Sequence, residues 1–590
     1  MRDASGDGLG RGGVDSWLAL GALVVVWVAL RWLSYPWPGQ WWAAYLSTAP
    51  LAIAAIGARS SWRLAVTAYI GGLAWWLIGV SWLWRVTPGG YVALSFYLAL
   101  YPLGFALGVR WVARRLGGRL PMAVVVPTAW VGLEVVRGWA MTGFPWFLLG
   151  HSQPTLMIQI ADAFGAYGVS FVAAMAGGAV VDGVAGGWMG RGRPGRWAWV
   201  SAAACGLALA ATAGYGAWRV GQFDDHQRAL GGEAPGLNIA VVQTDVRQSN
   251  KLSPTFAEDQ ATFESLTGLM ARASERFEPT LIVAPETVTP QAINAANVAM
   301  AERICRAYRG AFEPGSSEAD ALKRVCATAG YAAGLRELAA EHGRWLIVGA
   351  HAMEAFEEGR PTRRYNAAYL ISPGGEVVDR FDKVHRVPFG EYVPFGESAP
   401  WLHRRLLALT PYEEDYSLDK GEAVEPMSVR VGRGSEGGEG RRAVRVGTPI
   451  CFEDVVSWVC RRLVYGGDGV KRADVLVNLT NDGWYPGTAE GPQHEQIARL
   501  RCVENRTPMA RSVNRGISSL IDSCGRVMTR VEVEGRRQMV AGVAGGRLVF
   551  DPRSTLFGRI GDAFGAGCVV ATVVMLIGAG VLGRVDGRRG

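Results

Sequence analysis

The sequence predicts an α-helical polytopic membrane bundle of eight spans joined to a layered α/β domain. Two observations support the bundle: 49% of the residues are hydrophobic, and long apolar runs are concentrated in the first 220 residues and about the last 35. The intervening stretch, 221–556, has the mixed polarity of a water-exposed globule, and in it short β-rich runs alternate with helical ones. These patterns divide the chain into a membrane domain at 1–220, an α/β domain at 221–556, and a last span with its tail at 557–590.

Each span is predicted from its length, because a bilayer core about 30 Å thick needs roughly 20 apolar helical residues. The predicted segments lie near 15–34, 41–58, 64–84, 91–113, 121–140, 155–182, 197–218 and 559–583. The fifth segment is unusual because it contains Glu134 and Arg137, and a charge at mid-bilayer is costly. Their i,i+3 spacing places both on one helix face, which fits a structural ion pair or a contact with a lipid headgroup.

The orientation follows from the distribution of arginine, because cytoplasmic loops of membrane proteins are enriched in Lys and Arg. With a cytoplasmic N-terminus the opposing short loops hold Arg85, with Arg31 near the outer end of the first span. This asymmetry predicts that both termini are cytoplasmic and that 221–556 is extracytoplasmic. The first run is long and is followed by further spans, so we interpret it as an anchor and not as a cleaved signal peptide. The residues assigned to the inside are Arg2, Arg11, Arg59, Arg63, Arg110, Arg114, Arg115, Arg119, Arg191, Arg193, Arg196, Arg584, Arg588 and Arg589.

The sequence also indicates which partners to expect, with two features near the spans that favour lipid. Tryptophans flanking the spans fit interfacial belts, and Thr142-Gly-Phe-Pro-Trp146 breaks a helix where a lipid could enter. The net charge of +8 resides largely at the ends of apolar runs, without a basic stripe interleaved with aromatics, so nucleic acid is not an expected partner. The cysteines form no CxxC pair, which gives no indication of a zinc site.

The α/β domain is predicted from alternating periodicities between 237 and 543. Strands are expected at 237–246, 280–285, 345–350, 366–372, 443–450 and 474–479, and helices at 254–277, 291–309, 318–342, 454–465 and 491–506. A further strand pair is expected at 509–522, after Pro508 ends the last helix.

The residues with reactive side chains follow the predicted strands. Cys451 lies where a strand ends and a helix begins, a position that favours the reactive thiolate over the alternative of an inert buried cysteine. Glu286 follows another strand and could accept the thiol proton, although an acid at a helix start is a common alternative. Lys383 is notable because lysine occurs at only five positions in this arginine-rich chain, and a compact ammonium can stabilise an oxyanion.

Histidine-based catalysis is the competing interpretation of the cysteine. His385 or His494 could act as its base, but neither has an evident orienting partner in the sequence. His494-Glu495 does not begin a zinc motif either, because residue 498 is alanine, so we expect no metal.

The motifs resemble the nitrilase, or carbon-nitrogen hydrolase, superfamily. The matching stretches are Val283-Ala-Pro-Glu286, Asp382-Lys383, Pro449-Ile-Cys451-Phe-Glu453 and Asn478-Leu-Thr-Asn481-Asp482-Gly-Trp484. With the membrane segments, the sequence is similar to the apolipoprotein N-acyltransferase family, whose loops look like Val387-Pro-Phe-Gly-Glu-Tyr-Val-Pro394, Thr142-Gly-Phe-Pro-Trp146 and Glu134-Val-Val-Arg137.

The resemblance implies a four-layer αββα domain and a role for each residue of the site. Glu286 would be the general base, Lys383 the oxyanion stabiliser and Cys451 the nucleophile. Glu391, Glu453 and Phe452 would support them. The possible contacts with lipid or substrate are Trp146, Glu134, Arg137 and Trp484.

The implied activity is transfer of an acyl chain from a phospholipid, through a Cys451 thioester, to the N-terminal amine of a diacylglyceryl cysteine on an apolipoprotein. No cofactor is expected, and the expected location is the bacterial inner membrane with the catalytic domain on the periplasmic side. Two alternatives remain open: a membrane-anchored amidase or nitrilase acting on a small carbon-nitrogen substrate, and a non-catalytic scaffold that binds lipoproteins.

Three departures from the family pattern stand out. Phe452 occupies a position where many relatives have tyrosine, and Leu252 lies where an aromatic residue is common. The segment 301–340 is longer than usual, and its Cys305 and Cys326 could form a disulfide in an oxidising compartment or remain two thiols.

Overall fold

The computed structural model describes residues 16–116, 118–188, 196–248, 254–354, 362–396, 398–408, 416–431 and 442–586. The chain divides into two compact units, Met1–Gln222 with Ile560–Gly590, and Phe223–Arg559. Leu252 and the glycine-rich stretch 432–440, which the sequence suggests is a hairpin loop, lie outside the described residues.

The first unit is a bundle of apolar helices, and every predicted span coincides with a helical region. Six helices are long and apolar enough to cross a bilayer, by length and composition: Trp17–Ser34, Pro88–Leu116, Met122–Trp139, Ala161–Val184, Trp197–Glu233 and Ala563–Leu582. The predicted second span is the shorter apolar helix Ala43–Gly57. The predicted third span, 64–84, is the helix Ser61–Gly79 followed by a 3-10 turn at Ser81–Arg85.

Within this bundle, charged side chains bind the backbone of a non-helical segment. Glu134 Oε1 accepts hydrogen bonds from Trp130 Nε1 and from the backbone N–H of Leu149, both at 2.9 Å. Arg137 donates to the carbonyls of Phe144 and Trp146. Because no water is present in a bilayer core to satisfy irregular backbone, such side chains stabilise a helix break there.

Arg31 has a similar role, although the sequence suggested a position near the outer end of the first span. Its side chain is buried, and Nη2 donates to the carbonyl of Phe147 at 3.0 Å. Its guanidinium lies 5.1 Å from the ring centre of Tyr35 and 4.9 Å from that of Trp75. Arg31 therefore belongs to the interior of the bundle, where the aromatic faces compensate part of its charge.

The second unit contains two six-stranded sheets. Their orders are β12-β1-β2-β3-β4-β5 and β11-β10-β9-β8-β7-β6. The strands of the first sheet are β1 (Gly236–Gln243), β2 (Leu281–Val283), β3 (Trp345–Glu354), β4 (Arg363–Ile371), β5 (Val377–Asp382) and β12 (Gly542–Val549). Those of the second are β6 (Met427–Val431), β7 (Arg442–Gly447), β8 (Val475–Asn481), β9 (Met509–Asn514), β10 (Ser519–Ile521) and β11 (Val527–Arg530).

The sheets pack face to face between layers of helices, and β1 shows how the sequence specifies this arrangement. Ile239 and Val241 join a core shared with the second sheet, whereas Ala240 and Val242 join a core shared with the helices Phe256–Phe277 and Thr328–His342. Side chains alternate between the faces of a strand, so a strand that is apolar on both faces must be buried on both. The helices Ser457–Tyr465 and Glu490–Asn505 contribute to the core on the side of the second sheet, which completes the expected αββα layering.

The helical predictions need two corrections. The helix expected at 318–342 is two helices, Ser317–Cys326 and Thr328–His342, because the chain turns at Ala327, next to the cysteine that is disulfide-bonded to Cys305. Of the two alternatives left open for these cysteines, the structure has the disulfide, with the two Cα atoms 5.4 Å apart. The helix expected at 454–465 begins at Ser457, after a separate 3-10 turn at Cys451–Asp454. The remaining described helices of this unit are Ala295–Ala307, Pro400–Leu407 and Leu556–Ile560.

Candidate active site

The three residues expected to carry the chemistry all follow strands. Glu286 lies shortly after β2, Lys383 directly after β5, and Cys451 after β7. Cys451 has a backbone φ of 52°, a left-handed conformation that is rare for a residue with a side chain and costs energy. Its turn is held by Asn478 Nδ2, which donates to the carbonyls of Pro449 at 3.1 Å and Cys451 at 3.3 Å.

Lys383 lies between two carboxylates. Its Nζ is 3.2 Å from Glu286 Oε1 and 2.9 Å from Glu391 Oε1, and its side chain is 2% exposed. Burial disfavours the ammonium, but the charges of Glu286 and Glu391 outweigh it and raise the pKa of Lys383 well above its usual range. Lys383 therefore stays protonated, as an oxyanion stabiliser must.

Asn366, on β4, is a member of the site that the sequence analysis missed. Its Nδ2 donates to Glu286 Oε1 at 2.7 Å and to Glu391 Oε1 at 2.8 Å. The amide and the ammonium of Lys383 thus bind the same two oxygens, and Glu391 also accepts from the N–H of Val387 at 2.8 Å. The available signal was a single amide in an otherwise apolar strand, Asn366-Ala-Ala-Tyr-Leu-Ile371.

Glu453 connects two loops of the site. Its Oε2 accepts from the Ile450 N–H at 2.8 Å, and its Oε1 accepts from the N–H groups of Val384 at 2.7 Å and His385 at 2.8 Å. Burial raises the pKa of Glu453 to about 7, against the effect of the Ile450 N–H and the charge of Lys383. This carboxyl group fixes the position of the Cys451 turn relative to the Lys383 loop.

The turn at Cys451 does not make the thiolate the favoured form, contrary to the sequence analysis. Burial raises the pKa of its thiol well above the usual range, the Glu286 carboxylate raises it further, and Lys383 only partly opposes them. The 3-10 turn that begins at Cys451 is four residues long and offers little helix dipole. A neutral thiol next to a carboxylate needs a base at the moment of reaction, which is the role expected of Glu286.

The histidines do not replace that base. Burial and Lys383 lower the pKa of His385 to about 4, and its ring stacks on Phe452 with the centroids 6.1 Å apart. His494 does have orienting partners, contrary to the sequence analysis: Nε2 lies 2.7 Å from Asp454 Oδ1 and Nδ1 lies 3.2 Å from Asp482 Oδ1. Burial opposes its charge, but Asp454 outweighs this and raises the pKa of His494 to about 10, so it is a cation and not a proton acceptor.

Among the described residues, Asp482, Glu490 and His494 have donor atoms within 4.8 Å of one another and could hold a metal ion. The His494 Nδ1 distances of 3.2 Å to Asp482 and 3.5 Å to Glu490 are typical of hydrogen-bonded and ion-paired groups. Because Asp454 binds Nε2 of the same ring, the protonated histidine itself supplies the positive charge that balances these acids.

The other predicted site residues contribute less to this cluster or belong to the first unit. Trp484 is half-buried at the end of the turn Asp482–Trp484, and Phe452 is half-buried next to Cys451. In the bundle, Trp146 is 2% exposed and stacks near Trp82, with ring centroids 5.4 Å apart. The expected lipid contacts of Trp146, Glu134 and Arg137 stay predictions.

Comparisons with known proteins find relatives for both the apolar part and the α/β part of the chain. Residues 17–179 match the family described as apolipoprotein N-acyltransferase N-terminal domain, and residues 238–541 match the family described as carbon-nitrogen hydrolase. The apolipoprotein N-acyltransferase of Geobacter metallireducens is 31% identical over 558 residues, which cover 92% of each chain. That of Brucella melitensis is 29% identical over 494 residues, covering 81% of this chain and 78% of the relative.

A solved structure of an amidase from Nesterenkonia sp. AN1 is also similar, with 18% identity and a TM-score of 0.31. The match covers 54% of this chain and 95% of that chain.

Proposed function

The chain belongs to the apolipoprotein N-acyltransferase family, and on that premise we propose that it transfers an acyl chain from a phospholipid to the N-terminal amine of a diacylated apolipoprotein. The observation that carries the proposal is the placement of Lys383 between Glu286 and Glu391, together with the charges of Glu286 and Lys383 acting on Cys451. A thiol, a base and a fixed cation are the groups that acyl transfer through a thioester needs.

The first half-reaction forms the acyl-enzyme. Glu286 takes the proton of the Cys451 thiol while the sulfur attacks the ester carbonyl of the phospholipid. The oxygen of that carbonyl becomes an oxyanion, which the ammonium of Lys383 stabilises. When the tetrahedral intermediate collapses, the C–O bond of the ester breaks, and the departing lysophospholipid takes the proton from Glu286.

The second half-reaction uses the same groups in reverse. The α-amine of the acceptor attacks the thioester carbonyl and gives a proton to Glu286, and Lys383 again stabilises the oxyanion. The C–S bond then breaks, and Glu286 returns the proton to the Cys451 sulfur. The cycle moves one acyl group and restores every protein proton, so it calls for no cofactor.

The role of Cys451 is tested with phospholipid carrying a labelled acyl chain. The full-length protein should form a label that hydroxylamine removes, and Cys451→Ala should form none. Cys205→Ala, which removes another buried cysteine, should label normally and controls for the loss of a thiol. Continued labelling of Cys451→Ala would eliminate the thioester. Release of lysophospholipid by the wild type separates this activity from that of an amidase or a non-catalytic scaffold.

The membrane setting completes the proposal. Eight spans, cytoplasmic termini, an extracytoplasmic catalytic domain at 221–556 and a place in the bacterial inner membrane are supported by the arginine distribution and the apolar helices. Glu422 has a 90% exposed side chain in the second unit, and Arg119 is exposed in the first. A membrane-impermeant maleimide should label Glu422→Cys in intact spheroplasts, but Arg119→Cys only after lysis. Labelling with the opposite pattern would reverse the orientation.

A further inference from the structure

Strand β8 packs directly against the turn that carries the nucleophile. Leu479 forms a parallel bridge with Ile450, and Asn478 donates to the backbone carbonyl of Cys451. Because side chains alternate along a strand, Thr480 lies on the same face of β8 as Asn478. The Thr480 side chain is fully buried there, and its hydroxyl lowers the pKa of the Cys451 thiol against the larger effect of burial.

Behind Thr480 lies a buried chain of charged groups. Thr480 Oγ1 donates to Asp482 Oδ1 at 3.3 Å, and His494 Nδ1 lies 3.2 Å from that same oxygen. His494 Nε2 is 2.7 Å from Asp454 Oδ1, and Arg511 binds the other oxygen of Asp454. All five side chains are at most 4% exposed, so the array is rigid and screened from water.

The hydroxyl of Thr480 has a single proton, so it cannot donate to Asp482 and to Cys451 at once. While Cys451 is a thiol, its S–H can donate to Thr480 Oγ1, whose own proton goes to Asp482. Once Glu286 removes the thiol proton, the sulfur becomes an acceptor and needs a donor. The cationic His494 continues to donate to Asp482 Oδ1, so that carboxylate keeps a partner if the hydroxyl turns away.

We propose, on the basis of the acyl transfer inferred above, that Thr480 is a catalytic residue whose hydroxyl donates to Asp482 in the resting site and turns to donate to the Cys451 sulfur in the thiolate. No proton leaves Thr480 in this exchange; only the acceptor of its hydrogen bond changes. Asp482 and His494 are positioning residues, because they act on the sulfur through the hydroxyl. The same exchange would assist the second half-reaction, in which the sulfur is the leaving group.

The test measures the thiolate directly, through the pH dependence of iodoacetamide alkylation of Cys451 in the full-length protein, with the modified peptide quantified by mass spectrometry. The charged or titratable groups acting on Cys451 include Glu286, Lys383, Asp482 and Tyr485, and these stay constant in Thr480→Val. The valine keeps the shape of the side chain and removes the donor. We expect its alkylation profile to move to higher pH by about one to two units. At a fixed pH below the inflection, alkylation should therefore be about 10- to 100-fold slower.

Three further variants make the result specific. Thr480→Ser should return the profile to that of the wild type. Thr448→Val, at a buried threonine whose hydroxyl has no hydrogen-bond partner among the described residues, is the matched control and should not move it. Asp482→Asn should move the profile to lower pH, because it removes a negative charge and frees the Thr480 hydroxyl.

The proposal is overturned if the profile of Thr480→Val coincides with that of the wild type or moves to lower pH. If Thr480→Val does not fold, Thr480→Ala, which also removes the donor, decides: a move to higher pH supports the proposal, and no move or a move to lower pH overturns it. The acyl transfer reaction is judged separately, because a wild-type protein that shows these profiles but takes no label from phospholipid would refute the proposed function and leave the role of Thr480 intact.

Discussion

Replacing Glu453 by glutamine is expected to loosen the turn that carries Cys451. The carboxylate accepts three backbone hydrogen bonds, one from Ile450 and two from Val384 and His385. The best placement of the glutamine amide keeps its oxygen toward the N–H groups of Val384 and His385 and points its NH₂ at the N–H of Ile450. One buried N–H then loses its acceptor, and the other two bonds lose their charge assistance, at a total cost of about 2–4 kcal/mol.

The loss should be larger for Glu453→Ala, which leaves all three N–H groups without an acceptor. At about 1–3 kcal/mol each, this approaches the whole stability of a typical domain. The measurement is the urea midpoint of the full-length protein in detergent, followed by pulse proteolysis. Glu422→Gln is the matched control, because that side chain is 90% exposed and should change stability by less than about 0.5 kcal/mol.

The pH dependence gives a second signature of the same group. In the unfolded chain the carboxyl titrates near 4.5, and burial raises its folded pKa to about 7. The folded state therefore binds this proton more tightly, and the resulting stabilisation, complete below 4.5, is lost as the pH rises through 7. The difference amounts to about 3 kcal/mol, which the wild type should lose over this range and Glu453→Gln should not.

The reasoning about Glu453 would be refuted by a glutamine variant as stable as the wild type, with normal acyl-enzyme formation. Parallel stability losses of wild type and variant between pH 4.5 and 7 would separately refute the raised pKa. The first outcome would mean that the carboxylate does not hold the two loops, and the second would mean that burial does not raise its pKa.

The remaining predictions concern three other parts of the molecule. Cys305→Ser should destabilise the protein by about 3 kcal/mol, since the disulfide to Cys326 closes a loop with a sequence separation of 21. Six of the eight cysteines of the wild type should react with a thiol reagent under denaturing, non-reducing conditions, and reaction of all eight would contradict the bond. Asn366→Leu should slow single-turnover acyl-enzyme formation by about 10- to 100-fold, because both site carboxylates lose a donor, and an unchanged rate would show that their orientation does not depend on Asn366. Arg31→Met should lower the thermal midpoint of the detergent-solubilised protein, because the carbonyl of Phe147 loses a charged donor, whereas Trp62→Leu at a 72% exposed position should not; equal midpoints would show that the arginine stabilises nothing there.

Much of the fold was predictable because local periodicity is written directly in the sequence. The strand at 345–350 is found at Trp345–Glu354, and the helix at 254–277 is found at Phe256–Phe277. The errors occur where the local sequence pattern carries no information about the structure. Residues 318–342 have continuous helical character, and only the turn at Ala327, next to a disulfide with a cysteine of another helix, divides them.

The active site was likewise predictable only in part. Glu286, Lys383 and Cys451 could be named because each follows a strand and has a side chain suited to a role in acyl transfer. The favoured form of the thiol was predicted wrongly, because a turn motif suggests a helix dipole but cannot show how deeply the sulfur is buried or how close a carboxylate lies. Burial and the charge of Glu286 decide that pKa, and both depend on the packed structure.

By itself, the sequence determined which chemical groups this protein has and which segments become strands, helices and membrane-crossing candidates, because side-chain chemistry and hydrophobic periodicity are local properties. Only the tertiary structure decided which groups meet. Lys383 reaches Glu286 across 97 residues of chain, and Glu453 reaches Val384 across 69. Asn366 became an orienting amide, and His494 a buried cation between acids, because the order of strands in two facing sheets brings distant strand ends to one place.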